Sequence, residues 1–260
     1  VATILHTSPV TGMGVDVAEV SKTIRAVAPN CFIIVDGIQH AAHGLLDIKS
    51  YDIDGYVISP YKMFSRHGYG VAWVSDRLTS LAHEQLVNGP TEAWEFGTRD
   101  TGSYATMSDV VSYLEWLGTV VLGNEGKEEK DRRKRLVAAG QAIKAHEKIL
   151  TNTMLYGKDN LKGISELDAI EIVGGVDNPL REGLVSLRVR DMASSDLVNA
   201  LRDHNIRAHV RKDDHYSGNI LTPLGWTDCV RISLCHYNTA TEVTSLLSAL
   251  AKIVKQRDRK

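Results

Sequence analysis

The chain has 260 residues, 43% hydrophobic and 24% charged, with a formal net charge of −2. That size and balance suit a globular protein of one large or two modest domains, and a near-neutral charge offers no basic field to draw nucleic acid or an anionic membrane. The three cysteines, Cys31, Cys229 and Cys235, are too few and too irregularly spaced for a disulfide framework or a zinc site.

No membrane-length apolar run and no basic-then-apolar leader is evident, so a cytoplasmic protein without membrane, nucleic-acid or metal partners is expected. In chain order, "VATILHTS" (1–8) reads as a buried strand, and "GVDVAEVSKTIRAVAPN" as a helix with Val17, Val20, Ile24 and Val27 on one face. Asp16, three residues before Glu19, caps its start, and Pro29-Asn30 stops it. "CFIIV" (31–35) is a short continuous apolar run suited to a strand covered on both faces. Strand, helix, strand is the unit of a parallel α/β sheet.

"GYVIS" and "GVAWVS" read as two further buried strands, and "GSYATMSDVVSYLEWLGTVVL" (102–122) as a long helix. The charged "GNEGKEEKDRRKR" is a solvated loop and helix start, followed by the helical "LVAAGQAIKAHEKILTNTMLYG". The texture then changes: "AIEIVGG", "GLVSLRVR", "IRAHV" and "CVRISLC" are short strands around the helical "SSDLVNALRDHN". A last helix opens on Thr239 and Glu242 as a capping box and repeats Val243, Leu246, Leu247, Leu250 and Ile253. These patterns predict an α/β unit over residues 1–125 and a small α+β unit over 126–260, dividing near Gly126.

In open α/β sheets, ligands sit at the carboxyl ends of the strands. Asp36 closes one strand there, Gln39 follows three residues later, and Ser59 and Lys62 occupy the matching end of the next. A lysine flanked by Tyr61, Met63 and Phe64 is expected to lose hydration and have its pKa lowered, as an amine nucleophile requires. Pyridoxal phosphate uses such a lysine together with a carboxylate that keeps its ring nitrogen protonated. Asp36 can supply that carboxylate, Gln39 can donate to the phenolic oxygen, and Ser59 can reach the phosphate.

"VDGIQHAAH", "SPYK", "EFGTRDTGSY" and "VRISLCHYNTATEV" together resemble the class V aminotransferases, the pyridoxal-phosphate fold-type-I branch that includes cysteine desulfurases and isopenicillin-N-epimerase-like enzymes. The resemblance implies the C-terminal part of a large, mainly parallel-sheet domain followed by a small α+β domain. By it, Lys62 is the Schiff-base lysine, Asp36 the pyridinium partner, Gln39 the O3′ contact, and Ser59 and Tyr61 further cofactor contacts. Thr98 is similar to a residue that reaches the neighbouring subunit's cofactor, implying a homodimer with shared active sites. Arg231 matches the arginine that clamps the substrate α-carboxylate, a task suited to a planar two-pronged donor.

Three departures narrow the expected reaction. Tyr61 stands where the family usually has His, and Pro9 stands where it has an asparagine in a turn similar to "HTSPVTG", so one side-chain contact is lost. In "VRKDDHYSG", Tyr216 occupies the position of the desulfurase nucleophilic cysteine, while Cys229 and Cys235 read as small core hydrophobes. Transamination, epimerisation or β-elimination of an amino acid is therefore expected ahead of desulfurase-like sulfur transfer. His40, His43, His67 and His215 match no common metal-ligand spacing and read as polar lining or surface.

Relatives in this family carry, ahead of the point that resembles Val1, a glycine- and threonine-rich phosphate cradle and a ring that stacks on the cofactor. Three expectations follow: a front segment outside this sequence, a separate N-terminal chain that completes the enzyme, or a cofactor-free remnant acting as an interaction protein.

Overall fold

The computed structural model describes residues 1–90, 93–94 and 100–257. The chain divides into two compact units, Val1–His6 with Val15–Ala142, and Thr7–Gly14 with Ile143–Lys260.

In the first unit, strand β1 (Ala2–Leu5) leads to helix α1 (Val17–Val27), then β2 (Ile33–Asp36), β3 (Gly55–Ile58) and β4 (Val71–Val74). The short helix α2 (Asp76–Thr79), the long α3 (Thr101–Leu122), α4 (Asn124–Glu128) and the start of α5 (Arg132–Tyr156) follow. The sheet order is β1-β2-β3-β4, with the first three strands parallel and β4 antiparallel to β3. Helix α1 begins as the sequence predicts, the Asp16 carboxylate accepting from the Glu19 N–H at 3.1 Å. Its Val17 packs with Ile33, Val35, Ile53 and Tyr56 in one core cluster.

The expectation of a buried strand fails for β4. Among the described residues it lies at the end of the sheet, antiparallel to β3, and Trp73 on it is 41% exposed. The apolar run "VAWV" alone does not tell a strand with covered faces from one with an exposed face.

One buried acid organises this unit. Asp54, 2% exposed just before β3, accepts from the Ile33 N–H at 2.9 Å, from Arg25 Nη2 at 2.8 Å and from Arg77 Nε and Nη2 at 2.8 and 2.7 Å. Burial raises the cost of its charge, but the bonds from Arg77, Ile33 and Arg25 outweigh that and hold its carboxyl well below the usual range. The Arg77 guanidinium also lies 4.2 Å over the Phe32 ring. Asp54 thereby ties α1, β2 and α2 to the start of β3.

The second unit contains the remainder of α5, then β5 (Ile170–Ile172), β6 (Leu184–Val189), α6 (Ser194–Asp203), β7 (His209–Lys212), α7 (Gly218–Leu221), β8 (Asp228–Ser233) and α8 (Ala240–Arg257). Its antiparallel sheet has the order β5-β6-β8-β7. Its core joins Leu150 and Met154 of α5, Leu197 and Leu201 of α6, and Val243, Leu246, Leu247, Leu250 and Ile253 of α8. The α8 capping box is formed in both directions: Glu242 Oε2 accepts from the Thr239 N–H at 2.7 Å, and Thr239 Oγ1 from the Glu242 N–H at 3.2 Å.

The division falls inside α5 rather than near Gly126. The charged stretch closes into α4 and α5, and helical hydrogen bonding runs on through Tyr156, so the change in composition does not mark the break. Periodicity also gives no hint that Thr7–Gly14 belongs to the second unit. There, Ser186 Oγ donates to the Val10 carbonyl, Arg181 to the Thr11 carbonyl, and the Glu182 N–H to the Gly12 carbonyl at 3.0 Å. Gly12 is required at this seam. Its φ is +73°, and a Cβ there would lie 2.2 Å from the Leu184 carbonyl oxygen.

Candidate active site

The parallel pairing of β2 with β3 sets Asp36 opposite Val57, so the segments that follow both strands leave from the same edge of the sheet. After β2, the chain turns into a 3-10 helix, His40–Ala42, preceded by Gln39. After β3, Ser59 leads into a second, Pro60–Met63, that carries Lys62. Pro60 suits a first helical position because its missing N–H would be unpaired there anyway. Ala41 and Ala42 of the first turn and Met63 of the second are buried in one cluster with Val110 of α3. Small side chains on one turn let the other approach closely. The result is a contact between their polar faces, Lys62 Nζ donating to Gln39 Oε1 at 3.3 Å.

The turn after Asp36 is tightly built. Asp36 Oδ1 accepts from the Ile38 N–H at 2.9 Å, which fixes the carboxylate at the strand end. Gly37 is needed because the Tyr56 ring crosses its backbone, and a Cβ would fall 2.0 Å from that ring. Tyr56 is thereby free to reach across, its hydroxyl lying 2.8 Å from Nδ1 of the buried His6. His6 in turn stacks on His40, ring centroids 3.5 Å apart.

The structure thus brings Lys62 and Gln39 together and sets Asp36 and Ser59 at the same sheet edge. Tyr61 does not pack inward as expected. It is 41% exposed and stacks on His67 with centroids 4.3 Å apart. Phe64 is also exposed, its left-handed backbone (φ 69°) ending the turn. Of the three apolar neighbours expected to shield the lysine, Met63 alone is buried, because a 3-10 turn directs adjacent side chains to different sides. Thr98 lies outside the described residues. Arg231 stands on β8, where its Nη1 donates to the Pro9 carbonyl at 3.2 Å.

From its sequence context His43 reads as polar lining or surface. The structure shows it buried, with Nε2 2.9 Å from Gln39 Nε2. The signal was present in the four-residue spacing, which places two side chains on the same side of one helical turn.

Cys229 and Cys235 are inert by position. Burial pushes the Cys229 thiol up, and burial together with the nearby Glu147 charge pushes Cys235 up to about 12. Tyr216, at the expected nucleophile position, is 67% exposed, its N–H bonded to Asp214 Oδ1 at 3.0 Å. Iodoacetamide at neutral pH is expected to leave Cys229 and Cys235 unmodified in the folded protein and to label both in denaturant, read by mass spectrometry. Labelling of either thiol in the folded state at the denatured rate would contradict this burial.

The chain belongs to the class-V aminotransferase family, whose sequence profile matches residues 1–120 and 136–246. It is 25% identical over 262 residues to a probable cysteine desulfurase of Halobacterium salinarum, covering 91% of this chain and 56% of that protein. It is 26% identical over 260 residues to the cysteine desulfurase-like protein ustD of Aspergillus flavus, covering 96% and 53%. Among solved structures, the apo cysteine desulfurase of Thermococcus onnurineus superposes with a TM-score of 0.74 at 22% identity, covering 98% of this chain and 60% of that one. The Escherichia coli desulfurase CsdA gives 0.69 at 21%, covering 98% and 59%. The fold is that of fold-type-I pyridoxal-phosphate enzymes, as expected. The chain spans about half the length of the curated relatives it matches.

Proposed function

We propose that the whole protein is a pyridoxal-phosphate-dependent enzyme acting on an amino acid, with Lys62 as the cofactor lysine. The observation that carries this reading is the 3.3 Å contact between the half-buried Lys62 amine and Gln39, beside the strand end where the Asp36 carboxylate is held. The donor set fits the cofactor chemically: a primary amine, an amide in contact with it, and a carboxylate fixed by a backbone N–H. Asp36, Gln39, Ser59, Tyr61 and Thr98 are the residues assigned to hold it. When bound, the cofactor supplies an electron-withdrawing ring that acidifies the α-carbon of an attached amino acid.

The chain's own residues do the rest. Lys62 Nζ would hold the cofactor and would be the amine placed to carry a proton to or from the substrate carbon. Asp36 would supply the carboxylate that pairs with the cofactor's ring N–H⁺. Arg231 is the guanidinium assigned to the substrate carboxylate. The reading extends to a homodimer, which the exposed Tyr113, Trp116 and Val120 on α3 support as an apolar stripe at helical spacing. Transamination, epimerisation or β-elimination is favoured over sulfur transfer, because Tyr216 cannot form a persulfide and Cys229 and Cys235 are buried.

The test is a screen of amino acids for keto-acid, pyruvate or inverted-stereocentre products, run with Arg231→Ala alongside. That variant is expected to raise KM roughly tenfold to a hundredfold, the equivalent of ~1.5–3 kcal/mol for a lost charge-assisted contact. An unchanged KM removes Arg231 from the site. Sulfide release that survives alanine replacement of all three cysteines argues for elimination, and its loss argues for a desulfurase.

A further inference from the structure

We propose that His43 is a positioning residue for Lys62, acting through Gln39, and that the tautomer of its imidazole selects which end of the Gln39 amide faces the lysine. The functional meaning rests on Lys62 being the cofactor lysine; the order of hydrogen bonds rests only on the chemistry of the three groups.

A lysine ammonium can only donate, so the group 3.3 Å from Nζ has to be the amide oxygen, Gln39 Oε1. The amide nitrogen also can only donate. It lies 2.9 Å from His43 Nε2, which must then be the acceptor nitrogen, with the imidazole proton on Nδ1. One turn holds both partners: the His43 N–H bonds the His40 carbonyl at 2.8 Å, and the His43 side chain is 7% exposed. The ring is therefore fixed while its proton can move.

Moving that proton to Nε2 reverses the chain. Nε2–H then donates, Oε1 turns to receive it, and the NH₂ end swings toward Lys62. Two donors now face each other if the lysine is charged. The arrangement suits instead a lysine without its charge, or a neighbouring oxyanion of the kind a phenolic cofactor oxygen presents. Imidazole is suited to this role because its two nitrogens exchange donor and acceptor character with no change in ring position. An asparagine or glutamine in the same place would have to rotate.

Two measurements on the cofactor-free full chain at a fixed pH test the proposal. Nitrogen chemical shifts of labelled histidine are expected to show His43 Nε2 unprotonated and Nδ1 protonated; a protonated Nε2 overturns it. Second, the rate at which acetic anhydride modifies Lys62, mapped by mass spectrometry, is compared among wild type, His43→Leu and His43→Gln. Losing the orientation of the Gln39 carbonyl is expected to leave more of the amine uncharged and raise the rate about tenfold in His43→Leu. His43→Gln, whose side-chain oxygen can accept where Nε2 does, is expected to stay close to wild type. Equal rates in all three, or equal acceleration in both variants, overturn the proposal. If wild type fails to take up pyridoxal phosphate at Lys62, the proposed function falls, while both readouts on the cofactor-free chain still decide the role of His43.

Discussion

Lys62→Ala is expected to eliminate turnover of every amino acid the protein accepts, a loss of about 10²–10⁴-fold or more, together with the visible absorbance of lysine-bound cofactor. Two functions are lost with one side chain. On the proposed function the amine serves both as the attachment point and as the group that moves the α-proton, a role that by itself contributes about that factor. The fold is expected to survive, because the turn is held by Met63 in its buried cluster and by the backbone bond from the Lys62 N–H to the Ser59 carbonyl at 3.0 Å. Unfolding curves that coincide with wild type, beside abolished turnover, are the expected pair. Turnover within a few-fold of wild type would show that the chemistry resides elsewhere.

Asp54→Asn is expected to give the largest loss of stability, about 3 kcal/mol. Removing one partner of a buried ion pair typically costs about 3–5 kcal/mol, because the remaining charges are left unmatched. The lower end applies here, since the Arg77 side chain is 40% exposed and can be rehydrated, whereas Arg25 is 16% exposed. Asparagine can still accept from the Ile33 N–H, so the loss reports the charge more than the backbone bond. The pH dependence has a definite sign. The folded carboxyl lies below its unfolded value, so its contribution is complete above about pH 4 and is lost as pH falls toward the folded pKa. Wild type is therefore expected to lose stability on acidification through that window, and the variant to lose less. Urea titrations at neutral and acidic pH measure both; parallel losses in the two proteins would mean that Asp54 is not the acid-sensitive group.

Asp54 also marks a limit of reading by pattern. In "YDIDGYVIS" it resembles a turn former ahead of a strand. Its importance comes from Arg25 on α1 and Arg77 on α2, both distant in sequence; Arg77 is delivered by the antiparallel pairing of β4 with β3, which sets Val74 opposite Gly55. Lys62 is the opposite case. It was legible because strand order predicts where the carboxyl ends gather, and a lone amine among aromatic residues there is chemically conspicuous. That lysine is less shielded than its apolar neighbours in the chain suggest. Counting neighbours along the chain does not reveal that a 3-10 turn sends Tyr61 and Phe64 outward.

Local patterns determined a great deal: the spans of α1, α3 and α8, their caps at Asp16 and Thr239, the strand and helix order, and the placing of Asp36 and Lys62 after neighbouring strands. These follow from side-chain periodicity and capping, which act over a few residues. Tertiary structure alone decided that β4 runs antiparallel to β3, that Thr7–Gly14 joins the second unit, and that Gln39 stands between Lys62 and His43. Those outcomes depend on which surfaces meet. Two turns joined through Ala41, Ala42 and Met63 align their polar groups to within a hydrogen bond, and contacts of that kind between distant residues leave no periodic trace in the chain.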